Sequence, residues 1–467
     1  MIQILLDHVT RELTIAAYIS LVLEDTDSTI KVSIDHQDLY NRWKDYDYFD
    51  RIDKGINMLV SPSYNIKRTA HILSRAVYQK SFLTINHSEQ IFLPLFYKEK
   101  LNTDFKKAYS RQVSAHLVWG KSFAEKLVQH ANVDPTKIFI VGNPKLDLAN
   151  RLQKSKPTNC QSSTSPRVLI VSDFKLGDYS GSSWGKFQRQ YSAHFKYPMN
   201  NIYKLARDKC VLWVKQASES FPDVLFLVRP HPGEDISSYK ALFEIPNIQI
   251  TGSQEIAIDA QNADIIFSFT STSIFEMLSM GKPVFNLKLE DVPDEYNGTH
   301  YKAFNWIDKG SFFNLLNNLR NGISPDISDH SLKVLNEHMY DPFGKSLLRS
   351  AIALKEINKK CLTTGLPYNT LDRAIGRSYA LIAATKYLAI KASYLLKHTF
   401  GIDNPIEKYS KKSWNSRLEG PELLTTTKIK DFKNSVSSII SDEDISILTN
   451  NTYSLRQQSE GIYIDFN

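Results

Sequence analysis

The chain has 467 residues, 42% hydrophobic and 23% charged, with a formal net charge of +7. That is too long for a single hydrophobic core, so two domains with additions are expected, and the composition excludes a disordered or fibrous protein. The positive balance suits anionic partners such as nucleotides, anionic glycans or a membrane surface, and nothing in it calls for nucleic acid.

The opening MIQILLDHVTRELT carries charges too early for a signal peptide, and no apolar run is long enough to span a bilayer. Cys160, Cys210 and Cys361 lie far apart without CxxC spacing, which argues against a disulfide framework or a zinc site and for a cytoplasmic location. From the start, short β-branched runs alternate with helical patterns: IQILL, RELTIAAYISLVLE, TIKVSI, INMLV, SFLTIN, HLVW and KIFIVGN. This rhythm predicts βαβ units and a parallel sheet over residues 1–152. The polar stretch 153–166 reads as a linker, and a second α/β set follows over 167–330, with RVLIVSD, YKLARDKCVLWVKQASES, VLFLVRPHP, IQITG, DIIFSF and PVFNL. Two doubly wound, Rossmann-like domains facing a cleft are expected, with ligands at the carboxyl ends of the strands. Residues 331–360 read as helices returning toward the first domain, and 361–467 as a basic, mostly helical tail. In RSYALIAATKYLAIKASYLLKHTF, Arg377 and Lys391 fall nearly opposite Lys386 and Lys397, which favours a helix packed on the protein body and leaves peripheral contact with the inner membrane open.

Three constellations could carry chemistry. In LVRPHPGED, Pro230 and Pro232 hold His231 on a rigid corner after an apolar strand, with Arg229 just before it. A histidine held there can donate to a phosphate and stabilise a departing nucleotide. In DIIFSFTSTSIFEML, a strand ends in the hydroxyls of Thr270, Ser271, Thr272 and Ser273 before a helix, an anion-binding turn without the glycines of a Walker A or dinucleotide motif. Ser273 and Glu276 also have capping-box spacing, so Glu276 either folds back on the helix start or reaches a ribose. Third, Asp7, His8, Arg11 and Glu12 follow the first strand, where an acid could take a proton from an acceptor hydroxyl or simply favour the helix start. Asn86, His87 and Asn143 stand at other strand ends as acceptor or cleft candidates. Asp45 and Asp47 have DxD spacing with no strand leading into them, so no metal site is expected.

In order and spacing, LLDHVTRELTIAAYI, HLVWGKSFAEKL, KIFIVGNPKLDL, LVRPHPGED and TSTSIFEMLSMGKPVF resemble the bacterial surface carbohydrate biosynthesis proteins of GT-B architecture. The last two are also similar to the HP and Ser/Thr motifs of bacterial sialyl-, polysialyl- and Kdo transferases, and the resemblance covers most of the chain from Met1 to about Lys360. It implies a metal-independent, cofactor-free glycosyltransferase with a nucleotide-sugar donor in the second domain and a glycan or lipid-linked acceptor in the first. By position, His231 would contact the donor phosphate, Ser271 and Thr272 the phosphate or a sugar carboxylate, Glu276 the ribose, and Glu12 would be the base. The acidic pair followed by glycine that carries the base in sialyltransferases is absent from the first domain. The expected donor is a CMP-activated acidic sugar, Kdo or a nonulosonate. A UDP-sugar transferase, a UDP-GlcNAc 2-epimerase-like enzyme, a CDP-glycerol phosphotransferase and a non-catalytic member of a polysaccharide assembly complex stay open.

Overall fold

A computed structural model describes residues 1–6, 9–36, 55–62, 72–73, 76–87, 112–155, 165–178, 199–252, 256–269, 271–290, 292, 306–374, 378, 429–430, 433–434, 436 and 437–466. They pack as two units, one holding the described residues up to Pro144 and again from His338 onward, the other within Lys145–Glu337.

The first unit contains β1 (Ile2–Leu6), α1 (Val9–Thr26), β2 (Val32–His36), β3 (Met58–Ser61), β4 (Phe82–Asn86), β5 (Ala115–Val118), α2 (Lys121–Ala131) and β6 (Ile138–Ile140). The second opens with α3 (Pro144–Ser155) and continues through β7 (Arg167–Ser172), α4 (Met199–Ser220), β8 (Leu225–Arg229), β9 (Ile248–Ile250), α5 (Ile256–Gln261), β10 (Ile265–Phe269), α6 (Ile274–Ser279), β11 (Val284–Leu287), β12 (Trp306–Ile307) and α7 (Lys309–Arg320). After α8 (Asp329–His338) the chain returns to the first unit with α9 (Ser346–Thr363), α10 (Asp442–Asn450), β13 (Tyr453–Gln457) and β14 (Ile462–Phe466).

The first sheet runs β13-β14-β6-β5-β4-β3-β1-β2, parallel throughout except for the β13/β14 hairpin. The second runs β12-β11-β10-β7-β8-β9, all parallel. Numbered within its own unit, that is the order 3-2-1-4-5-6 of a doubly wound dinucleotide-type sheet, whose topological switch lies between β7 and β10. In the first sheet the switch lies between β1 and β3. Strands such as IQILL and IIFSF are apolar at nearly every position because helices cover both faces of such sheets. In the second unit Phe312 of α7 packs against both Trp213 of α4 and Phe267 of β10, whose ring centroids lie 5.9 Å and 4.7 Å from its own. Each such buried aromatic contributes roughly 2–3 kcal/mol.

Two stretches differ from the sequence expectation. Gln153 to Ser155, read as the start of the linker, finish helix α3, and α3 packs with the second unit, so the chain changes unit at Pro144. Gly142 explains that changeover: its φ is +83°, and a Cβ there would lie 2.8 Å from the Tyr340 carbonyl. The tail is not helical to its end. Ser459 and Glu460 form a two-residue turn, and β14 adds to β6 through Ile462 beside Phe139 and Tyr463 beside Ile140. The helix expected over residues 377–400 lies outside the described residues, apart from Ser378.

Arg349 of α9 anchors the hairpin. Its Nε donates to the Ile464 carbonyl at 3.1 Å, its guanidinium pairs with Asp341, and it lies 4.8 Å over Tyr340 and 5.0 Å over Phe466. The side chain is buried, so Arg349→Ala removes an ion pair and two ring contacts together. The expected cost is about 2–3 kcal/mol of unfolding free energy, measured as a lower urea midpoint at unchanged slope.

Candidate functional site

The second unit's switch brings three loops to the carboxyl ends of adjacent strands: residues 173–178 after β7, 230–235 after β8 and the hydroxyl turn after β10. Here an open α/β sheet has its crevice for ligands.

His231 occupies this edge, half-buried. The Gly233 amide donates to its Nδ1 at 3.0 Å. An Nδ1 lone pair used in this way assigns the proton of the neutral ring to Nε2, which makes Nε2–H the donor that His231 presents. The corner is braced by a residue that the sequence reading left out of the site. Glu234 is buried, and its Oε1 accepts from the amides of His231 at 3.0 Å and Phe174 at 2.8 Å and from Ser172 Oγ at 3.0 Å. Tyr239 donates its hydroxyl to Oε2 of the same carboxylate. One side chain thus ties the ends of β7 and β8 together. Burial lifts the Glu234 carboxyl above the ordinary range while its four donors oppose that, and the Tyr239 hydroxyl is pushed well up by burial and by Glu234.

A second tie runs through Asp178, which pairs with Arg207 of α4 and accepts from the Asp235 amide at 2.8 Å. Arg229, expected to bind the donor, pairs with Asp259 of α5, and Asp259 also accepts from Thr251 Oγ1 at 2.9 Å. This places the Arg229 guanidinium in a clamp between β8, the end of β9 and α5.

In the turn after β10, Ser271 and Ser273 share a hydroxyl–hydroxyl bond of 2.7 Å, Ser271 is largely buried and Thr272 is exposed. Ser273 is the residue before α6, yet it makes no side-chain cap and has helical φ −66°, ψ −12°. The capping box allowed by the spacing is therefore not formed: Ser273 already has helical backbone angles, whereas a capping residue does not. Glu276 stands in the first turn of α6, half-buried. Thr270 lies outside the described residues.

In the first unit, Asp7 and His8 lie outside the described residues, as does the side chain of Arg11. Glu12 stands in the first turn of α1, half-buried, directly after the switch-point strand β1. Asn86 ends β4, half-buried. His87, expected at the acceptor, is buried: its Nε2 lies 3.1 Å from Nδ1 of His116, its ring stacks on that ring at 5.4 Å, and Phe123 meets it edge-on. Asn143 is also buried, and its carbonyl accepts from Ser346 Oγ at 2.7 Å, which locks the Gly142 turn to α9. Asp45 and Asp47 are outside the described residues, and among the described ones no group of three or more His, Cys, Asp or Glu is placed to hold a metal ion.

The His87–His116 pair makes stability depend on pH. Burial, helped by the Lys137 charge, holds His116 down to about 3. Between its ordinary value of 6.5 and about 3 the unfolded chain binds a proton that the folded chain does not. The His116 contribution is thus fully present above that window and is lost as pH falls through it. His116→Gln keeps a hydrogen-bonding group beside His87 and is expected to flatten the fall in urea midpoint between pH 6 and 4 by close to one proton's worth of slope.

No protein-family model matches the sequence, and no curated protein matches it. Solved structures do resemble the chain. A putative UDP-N-acetylglucosamine 2-epimerase from Listeria monocytogenes is 12% identical, with a TM-score of 0.49, over 79% of this chain and 98% of its own. The wall teichoic acid polymerase TagF is 10% identical, with a TM-score of 0.49, over 78% and 89%. MnaA of S. aureus, solved with UDP, is 11% identical, with a TM-score of 0.48, over 78% and 96%. The α/β class itself, with a doubly wound parallel sheet in each of two units, rests on the chain's own strand orders.

Proposed function

We propose that the chain is a nucleotide-sugar-dependent glycosyltransferase whose donor phosphate is held at the His231 corner. The observation that carries this reading is the Gly233 amide on His231 Nδ1, which sets the ring's proton on Nε2, beside the switch of a 3-2-1-4-5-6 sheet. In the transfer step the bond between the sugar's anomeric carbon and the phosphate oxygen breaks, and the electron pair stays on the phosphate. His231 Nε2–H, with the hydroxyls of Ser271 and Thr272, stabilises that charge. Meanwhile the acceptor hydroxyl oxygen bonds to the anomeric carbon and gives its proton to a carboxylate, Glu12 in this assignment, with Asp7 as the other candidate. Glu276 is assigned to the ribose, and Arg11, His8 and Asn86 to the glycan acceptor.

Within this reading the donor is a CMP-activated acidic sugar, Kdo or a nonulosonate, used in surface polysaccharide synthesis. The hydroxyls of Thr270 to Ser273 suit a sugar carboxylate as well as a phosphate. Thermal-shift titration with CMP, UDP and CDP tests the assignment, because a ligand of the native state raises its melting temperature. CMP is expected to give the largest shift. A larger response to UDP overturns the CMP-sugar assignment, and no response to any of the three overturns the nucleotide site.

A further inference from the structure

The amino ends of the first sheet carry an arrangement that the donor site does not use. Leu362 and Leu371 are 67% and 66% exposed, and Tyr78 is 45% exposed. Leu362 lies in the last turn of α9, and Leu371 follows the turn after that helix. That turn is pinned to the sheet base: Tyr368 donates to the Ser81 carbonyl at 2.7 Å, and Asp372 accepts from Gln112 Nε2 and from the Asn369 amide at 2.8 Å. Ser81 immediately precedes β4, and Gln112 lies just before β5. Lys137, whose Nζ donates to the Val113 carbonyl at 3.1 Å, immediately precedes β6.

Cations accompany these leucines. Lys359 and Lys360 lie just before Leu362, Arg373 just after Leu371 and Lys80 next to Ser81, all four exposed. Lys360 is close enough to act electrostatically on both Lys137 and Asp134. Asp134 and, nearer β2, Asp27 are acids on this end, each accepting from a nearby threonine amide; Asp372 is buried and bonded. From Ala374 the sequence continues basic, with eight Lys and Arg against four Asp and Glu over residues 374–427.

We infer that this face docks on a lipid bilayer bearing anionic headgroups. Exposed leucines beside lysine and arginine are the composition that enters a headgroup boundary while its cations meet lipid phosphates. A second copy is the poorer occupant, since two-fold pairing of this patch would set Lys360 and Arg373 near like charges. The docking face belongs to the first unit alone and shares no residue with the His231 corner, so the inference stands whether or not the donor assignment does.

The test is flotation of the full chain with phosphatidylcholine vesicles and with vesicles that also contain phosphatidylglycerol. The chain is expected to float with the mixed vesicles, not with phosphatidylcholine alone, and less as salt rises. The pairs Leu362→Glu/Leu371→Glu and Lys360→Glu/Arg373→Glu are each expected to weaken binding about tenfold or more while the melting temperature holds. Absence of flotation overturns the inference, as does unweakened binding of both variants, which would put the contact elsewhere. A change of oligomeric state in the variants, with no change in flotation, assigns the face to self-association instead. Hydrogen exchange on the unmodified chain checks the same point without a variant: mixed vesicles should slow exchange over residues 360–373, and unchanged exchange there counts against docking.

Discussion

His231→Ala is expected to lower sugar transfer by about 100- to 1000-fold, the usual effect of removing one donor from a developing oxyanion. The loss should fall on kcat more than on KM, since the charge on the leaving phosphate grows along the reaction. Folding should change little. The ring is half-buried at a loop, and the Gly233 amide that it releases is in an exposed turn where water can replace it. His231→Gln should recover part of the rate, because its amide can donate toward the phosphate from a similar distance. Rate measurements with saturating donor, together with melting temperatures, separate a lost donor from a lost fold.

Glu234→Ala is expected to act on stability, at about 3–5 kcal/mol. Removing the carboxylate takes their shared acceptor from the amides of Phe174 and His231, and each unsatisfied buried group costs about 1–3 kcal/mol. The hydroxyls of Ser172 and Tyr239 can still bond to one another, 2.9 Å apart, so they add less. Glu234→Gln retains an oxygen for the two amides and should cost only about 1–2 kcal/mol. The two substitutions also differ in pH response. Because burial raises the Glu234 carboxyl, the folded chain keeps a proton that the unfolded chain loses as pH rises above 4.5, so this group's contribution is largest below that value and declines as pH climbs through the raised one. Glu234→Gln should lack that decline. Urea midpoints of the three proteins across pH 4 to 8 check both points, and ligand binding that survives in Gln but not in Ala would mark Glu234 as the brace of the His231 corner.

The apolar runs were legible because parallel strands buried on both faces read as uninterrupted Ile, Leu, Val and Phe, and RPHP was legible because two prolines leave a residue little conformational choice. What escaped the sequence depended on partners distant along the chain. Glu234 looks like one more acid in a turn after two prolines until Phe174 and Tyr239 are seen to converge on it. His87 has the placement of a site residue, yet its partner His116 comes from the next strand and buries it. The capping-box spacing of Ser273 and Glu276 was real, but Ser273 takes helical backbone angles and its hydroxyl meets Ser271 instead of the helix start. Arg229 faced the expected edge, and an aspartate thirty residues on claimed its charge. The C-terminal hairpin did have a local signature in the alternation of YSLRQQSEGIYIDF about Ser-Glu-Gly, which a basic, helix-rich tail obscured.

The most direct test of the central claim compares CMP with cytidine on the wild type and on His231→Ala. If Nε2–H meets the phosphate, the substitution should weaken CMP binding by about 10- to 100-fold, the worth of a charge-assisted hydrogen bond, and leave cytidine binding unchanged. Equal weakening of both ligands, or of neither, would contradict a phosphate contact at His231.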